Sequence, residues 1–349
     1  MKGSWRWLAI LLLFITCAAI VQNPATAQNA APAARRIYLD VQVTDSKGVP
    51  IHGLQQQDFT VLDGKQKQNI VSFYAVDGAK TSSEEPPAEV VLVIDAVNPI
   101  PATVGYIQTE LKKYFLSHEQ LTQPTSIAVL SREMRQLPQG TTLHGQALAA
   151  RLDDYKAGLA VHNDQTLDQS DRFSLSLGML TELLNYEQPR PGRKLVLWFG
   201  SGWPPLTAPG VEFSTRDRQG FFKSILQFSD QLRDATVTLY NIQPGGTGEP
   251  ELAIYQYDDY VKGETSASRA EPVSLSLQVL AKQTGGLVFL GERNLGKAID
   301  ECLQDAATSY VVAFEAAHGR QPNEFHKIAV TVDRPKTTVR TRTGYYAQP

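Results

Sequence analysis

The chain has 349 residues, 42% of them hydrophobic and 20% charged, with no long biased tract. That composition excludes a fibrous or wholly disordered chain and suggests about two domains. The 33 basic and 36 acidic side chains give a net charge of −3, and no segment gathers Lys and Arg as a nucleic-acid surface requires.

Residues 1–27 read as a secretory signal: Lys2 and Arg6 form a basic start, Leu8 to Ile20 an apolar stretch, and Ala25-Thr26-Ala27 a small-residue cleavage site. The apolar stretch falls short of the roughly 20 residues that span a bilayer, so cleavage is expected and no stable membrane span should remain. The expected location is therefore secreted or periplasmic. Cys17 invites a lipoprotein reading, but Phe14-Ile15-Thr16 lacks the small residue that lipoprotein signals place just before the cysteine. Without the signal the chain carries 31 basic and 36 acidic groups and one cysteine, Cys302, so no intramolecular disulfide is available. Cys302 lies at helical spacing with Ile299, Leu303 and Ala306, which predicts a buried, inert thiol.

A leader over 28–36 gives way to β patterns within 37–80. Ile37 to Thr44, Asp58 to Leu62 and Ile70 to Val76 read as strands, with turn signals at Asp45-Ser46-Lys47-Gly48 and Asp63-Gly64. The polar TSSEEPPA segment then serves as a linker. From 88 to 306 the pattern alternates. Strands are expected at Glu89 to Ala96, Ser126 to Leu130, Lys194 to Phe199, Ala235 to Ile242 and Gly286 to Leu290. Helices are expected at Thr103 to His118, Leu143 to Leu152, Ser174 to Tyr186, Phe221 to Leu232, Val273 to Lys282 and Leu295 to Ala307. Such alternation implies a doubly wound, Rossmann-like α/β unit with a mostly parallel sheet. Residues 307–347 return to β, with strands at Ser309 to Phe314, Lys327 to Val332 and Thr337 to Arg342. Each terminal β segment is too thin to stand alone, so the two should pack as one small antiparallel β-sandwich of about six strands with the α/β unit inserted between them.

The stretches IYLDVQVTDSKGVPIHGLQQQDFTVLDGKQKQNIVSF, VVLVIDAVNP, PGRKLVLWFGSGWP, LAKQTGGLVFL and VTVDRPKTTVRTRTGYYA occur in this order. In them the chain resembles the acidobacterial type of von Willebrand factor A-like domain protein. The resemblance covers nearly all of the chain after the signal and implies a von Willebrand factor A-like fold, with export. Domains of that kind commonly hold Mg²⁺ or a similar hard cation through Asp-x-Ser-x-Ser, a threonine from a second loop and an aspartate from a third. Asp95 matches the first position, but the two serine positions fall on Val97 and Pro99, and Gly200-Ser201-Gly202 stands where the third-loop acid is expected. A cation anchored by Asp95 alone would draw most of its shell from water. Asp95 is better read as accepting amide hydrogen bonds in its own loop or capping the next helix.

Other chemistries find less support. The six histidines are scattered without zinc spacing, Ser201 lacks the flanking glycines of a nucleophile elbow, and no phosphate-binding glycine motif stands between a strand and a helix. Trp203 suits either an interaction anchor or a ring tucked against a neighbouring loop. The 245–269 segment, with YQYDDY, reads as either a recognition loop or a mobile insert. The leading expectation is an exported, non-enzymatic, adhesion-type interaction module with a degenerate, metal-free site and no cofactor. It would bind protein partners in the cell envelope or outside the cell through a surface around Asp95, Asn98, Ser201 and Trp203. A metal-dependent adhesion domain anchored by Asp95, and a hydrolase with an unrecognised constellation, are the alternatives.

Overall fold

A computed structural model describes residues 36–77, 86–132, 135–155, 167–203, 212–248 and 257–349. The expected signal, nearly all of the leader, most of the linker, Pro204-Pro205 and the Tyr255-Gln256 part of YQYDDY lie outside these described residues. In chain order, β1 (Arg36–Asp45), β2 (Phe59–Asp63), β3 (Gln66–Gln68) and β4 (Ile70–Asp77) come first. Next are β5 (Glu89–Asp95), α1 (Pro101–Ser117), β6 (Gln120–Leu130), β7 (Arg135–Gln136), β8 (Thr142–His144), α2 (Gly145–Asp154) and α3 (Gln169–Glu187). Then come β9 (Lys194–Phe199), α4 (Thr215–Asp234), β10 (Val237–Pro244), α5 (Leu277–Gln283), β11 (Val288–Glu292) and α6 (Leu295–Ala307). The chain closes with β12 (Thr308–Glu315), β13 (Glu324–Val332), β14 (Thr337–Arg340) and β15 (Gly344–Ala347). The fold is mixed α/β, with a mostly parallel central sheet and flanking antiparallel sheets.

The central sheet runs β11-β10-β9-β5-β6-β7, with β8 on β6. The first five of these strands are parallel, and β7 and β8 run antiparallel to β6. Unbroken apolar runs such as Val90 to Ile94 and Leu195 to Phe199, each residue at most 1% exposed, suit strands covered on both faces. Alternation divides their side chains. Leu92, Ile94, Leu197 and Phe199 pack with α1, α2 and α6, whereas Val91, Val93, Val196 and Trp198 pack with α3, α4 and α5. Each such side chain contributes about 1.5–3 kcal/mol by leaving water. The helices start where the sequence supplies a cap. Pro101 opens α1, Asp168 caps α3, Ser214 and Asp217 close a capping box on α4, and Ser276 and Asn294 cap α5 and α6.

The flanking sheets run β14-β1-β12-β4 and β15-β13-β2-β3. Ile37 pairs with Phe314, Val43 with Val339, and Val61 with Val330, so segments from both ends of the described chain share each sheet. The inward residues of β1, Ile37, Leu39, Val41 and Val43, meet Phe59, Val61, Ile328 and Tyr345 of the other sheet in one apolar cluster. Among the described residues these sheets hold eight strands. The short β3 and β15 are additional to the six expected.

Asp305 of α6 ties the two regions together. Its buried carboxylate accepts from Tyr240 Oη at 2.6 Å and from Arg340 Nη2 at 2.8 Å to each oxygen. Its carbonyl accepts from Arg193 Nη2 at 3.0 Å and Gln42 Nε2 at 3.3 Å. No helix among the described residues is long and apolar enough to cross a membrane.

Candidate functional site at the carboxyl edge of the central sheet

Strand order reverses between β5 and β9. The chain leaves β5 through α1 on one face of the sheet, and leaves β9 through α4 on the other. In open α/β sheets this switch point opens a crevice beyond the strand ends, where ligands bind. Asp95 ends β5 and Gly200 follows β9, so both stand at that point.

Asp95 is fully buried. Its Oδ1 accepts from the amides of Val97 at 2.9 Å and Asn98 at 3.0 Å. Its Oδ2 accepts from Asn98 Nδ2 at 2.7 Å and Trp198 Nε1 at 3.0 Å. All four partners are donors, so the carboxylate serves as the hub of its own loop. Burial pushes this carboxyl above the ordinary carboxylate range, and the donations from Asn98, Trp198 and Val97 pull the other way without cancelling that push. Gly200 is required by the approach of the two strand ends. A Cβ there would lie 2.9 Å from Asp95 Cβ and 3.3 Å from Pro99 Cγ, closer than packed carbons tolerate.

The four residues expected to form a surface occupy different settings. Asn98 is partly exposed and also donates to Ser176 Oγ at 2.9 Å. Ser201 is 4% exposed, and its carbonyl accepts from Gln278 Nε2 at 3.3 Å. Trp203 is 1% exposed, with its ring edge-on to Trp198 at 5.2 Å between centroids. It therefore takes the tucked of its two expected states. The side chains gather at the switch point, but Asn98 alone among them shows appreciable surface. Val97 and Pro99 are also buried, Val97 within the apolar layer that contains Trp198.

The site draws on residues that sequence patterns did not single out. Trp198 sits within a run that reads as core, yet its ring nitrogen reaches Asp95. Ser176 comes from α3 and its hydroxyl donates to Arg172 O at 2.8 Å. Asn241, in register with Trp198 on β10, donates to Gly200 O at 3.1 Å. The side-chain carbonyls of Asn98 and Asn241 and the ring N–H of Trp203 are buried without a hydrogen-bond partner among the described residues.

Other candidate groups lie elsewhere. Among the described residues no set of three His, Cys, Asp or Glu side chains is placed to hold a metal ion. His326 Nδ1 meets Asp63 Oδ1 at 2.9 Å in the antiparallel sheets, where Tyr345 Oη also donates to Asp63 Oδ2 at 2.8 Å. Cys302 is fully buried, and burial, with the Asp305 charge, pushes its thiol well above the ordinary range. In the 245–269 segment, Tyr260 Oη donates to Glu271 Oε2 at 3.0 Å, and the Glu264 carbonyl accepts from Tyr346 Oη at 3.0 Å. Its later half is thus tied to the body of the fold.

No family model matches the chain, and no curated protein matches it. Among solved structures it is similar, at 10% identity and a TM-score of 0.36, to the manganese-loaded TRAP protein of Plasmodium vivax, over 77% of this chain and 96% of that one. It is also similar, at 11% identity and a TM-score of 0.34, to the human COPII-coat protein Sec24c, over 79% of this chain. The chain spans 46% of the Sec24c chain's length.

Proposed function

We propose that the chain is an exported, non-enzymatic interaction module of von Willebrand factor A-like type, an α/β unit over 88–306 inserted in a sandwich formed by 37–80 and 307–347. On this reading it binds a protein partner, in the cell envelope or outside the cell, through the loops at the carboxyl edge and without a bridging cation. The observation that carries the reading is the donor set of Asp95. A hard cation needs oxygen ligands, and both Asp95 oxygens already face N–H groups that a cation would have to displace. Val97 and Pro99 bring no side-chain oxygen. The loop is therefore held closed by hydrogen bonds where a metal-bearing relative would use an ion.

Titration calorimetry of the chain after signal removal, with Mg²⁺, Mn²⁺ and Ca²⁺ in turn, tests this. No saturable heat is expected up to millimolar metal. Micromolar binding that Asp95→Ala abolishes would overturn the proposal in favour of a metal-dependent adhesion domain. A hydrolase reading has less support: His326 has a carboxylate partner but no serine or cysteine on its ring, and the Ser117 Oγ–His118 Nδ1 contact at 3.1 Å has no carboxylate on the imidazole among the described residues.

A further inference from the structure

The opposite, amino edge of the central sheet holds a second candidate site. Period-two alternation on β1 turns Arg36, Tyr38 and Asp40 to the face opposite the apolar cluster. Register carries that face across the sheet, because Asp40 pairs with Val311 and Val311 with Tyr74. This outer face and the amino ends of β9 and β10 enclose a cleft of about 500 Å³, completed by Arg193, Arg233 and Arg342. The size lies within the range of small-molecule sites, roughly 300–1,000 Å³.

The charges of the cleft do not balance. Among the described residues, four guanidinium groups line it, those of Arg36, Arg193, Arg233 and Arg342, against the carboxylates of Asp40 and Asp234. Arg193 Nε lies 2.7 Å from Asp40 Oδ1. Arg233 Nη2 lies 2.6 Å from Asp230 and 3.2 Å from Asp234, while its Nη1 is buried without a partner among the described residues. The acids are thus committed to Arg193 and Arg233. The side chains of Arg342, partly buried, and of Arg36, exposed, have no hydrogen bond or ion pair among the described residues. Burial and the nearby Arg233 charge push the Arg342 guanidinium down to about 10, with Asp40, Asp234 and Asp230 offsetting part of that push. A half-buried guanidinium held beside another cation, with no acceptor, is a costly arrangement that an incoming anion relieves. Arginine is also the side chain whose planar fork suits carboxylate and phosphate oxygens.

We propose that this cleft binds a small molecule carrying at least two oxyanion groups, carboxylate or phosphate, held by Arg342 and Arg36, with Tyr38 and Tyr74 as side walls. Two anionic groups follow from the two guanidinium groups left without acids. A multi-atom ligand follows from the volume, which holds well over a dozen waters at roughly 30 Å³ each. The site is independent of the carboxyl-edge reading and stands or falls separately.

Calorimetry at constant ionic strength, with citrate and pyrophosphate as probes and inorganic phosphate as the small control, tests it on the chain after signal removal. At least one of the two larger probes is expected to bind at micromolar concentration, and the comparison between them tells carboxylate from phosphate. Arg342→Gln is expected to weaken that probe by about tenfold or more, the loss of a charge-assisted hydrogen bond. The same variant without ligand should melt no lower than the wild type, because it removes a repelled cation. Arg36→Gln, an exposed site outside the core, gives a second reading that folding cannot confound, and should weaken the probe several-fold. Failure of both larger probes to bind, binding unchanged in both variants, or inorganic phosphate binding as tightly as either would overturn the proposal.

Discussion

At the scale of single residues, Asp95 shows how one buried carboxylate can organise its own loop. Its four donors include two backbone amides and an indole N–H that no water reaches. Asp95→Ala would leave these donors unpaired in the interior, at about 3 kcal/mol or more. The urea midpoint should fall accordingly with its slope unchanged, and a variant within 1 kcal/mol of wild type, about the cost of one ordinary hydrogen bond, would contradict this account. Glu264 offers a complementary test. It is 6% exposed and accepts from Ser274 Oγ at 3.1 Å, and burial raises its carboxyl above the ordinary value. A raised carboxyl keeps its proton in the folded state after the unfolded chain has lost its own. Its stabilising share is therefore whole below the ordinary carboxylate range and is lost as pH rises through the folded value. Glu264→Gln removes that loss. Wild type and variant should have matching urea midpoints below about pH 4, with the variant ahead at pH 7. A variant that is weaker at pH 7 would refute the assignment.

At the scale of elements, the strands and helices of the α/β unit were legible because each carries its own local signal. Val90 to Ile94 is an apolar, mostly β-branched run, α1 repeats apolar residues on one face, and α3 to α6 open on capping side chains. Elements held by their neighbours were not legible. The exposed β3 and the four-residue β15 have no pattern of their own, and β6 begins six residues before the apolar stretch that announced it. The helix expected over Val273 to Lys282 is broken at Ser276, which instead caps the shorter α5 behind a 3-10 turn. The sites follow the same rule. The missing hydroxyls after Asp95 could be read directly, whereas the reach of Trp198 to Asp95 requires the register of β5 against β9. The arginines of the amino-edge cleft come from widely separated segments, and each alone resembles an ordinary surface charge.

At the scale of the whole molecule, β1 lies between β14 and β12, and β12 lies between β1 and β4. The first described strand thus waits for partners that are made last. Contacts between the chain's extremes are slow to form, because the whole intervening chain must be ordered before they give any return. The α/β unit is complete in sequence before β12 begins, so it can close while Ile37, Leu39 and Val41 still face water. Pulsed hydrogen exchange during refolding should show β5 and β9 amides protected first and β1 and β12 amides together in a later phase. Equal rates for β1 and β5 would rule this order out. If the proposed export holds and the chain folds after crossing a membrane, this topology makes β12 to β15 a timing device. Until they emerge, a strand with open edges and an apolar face stays available to chaperones, or to another copy of the same chain.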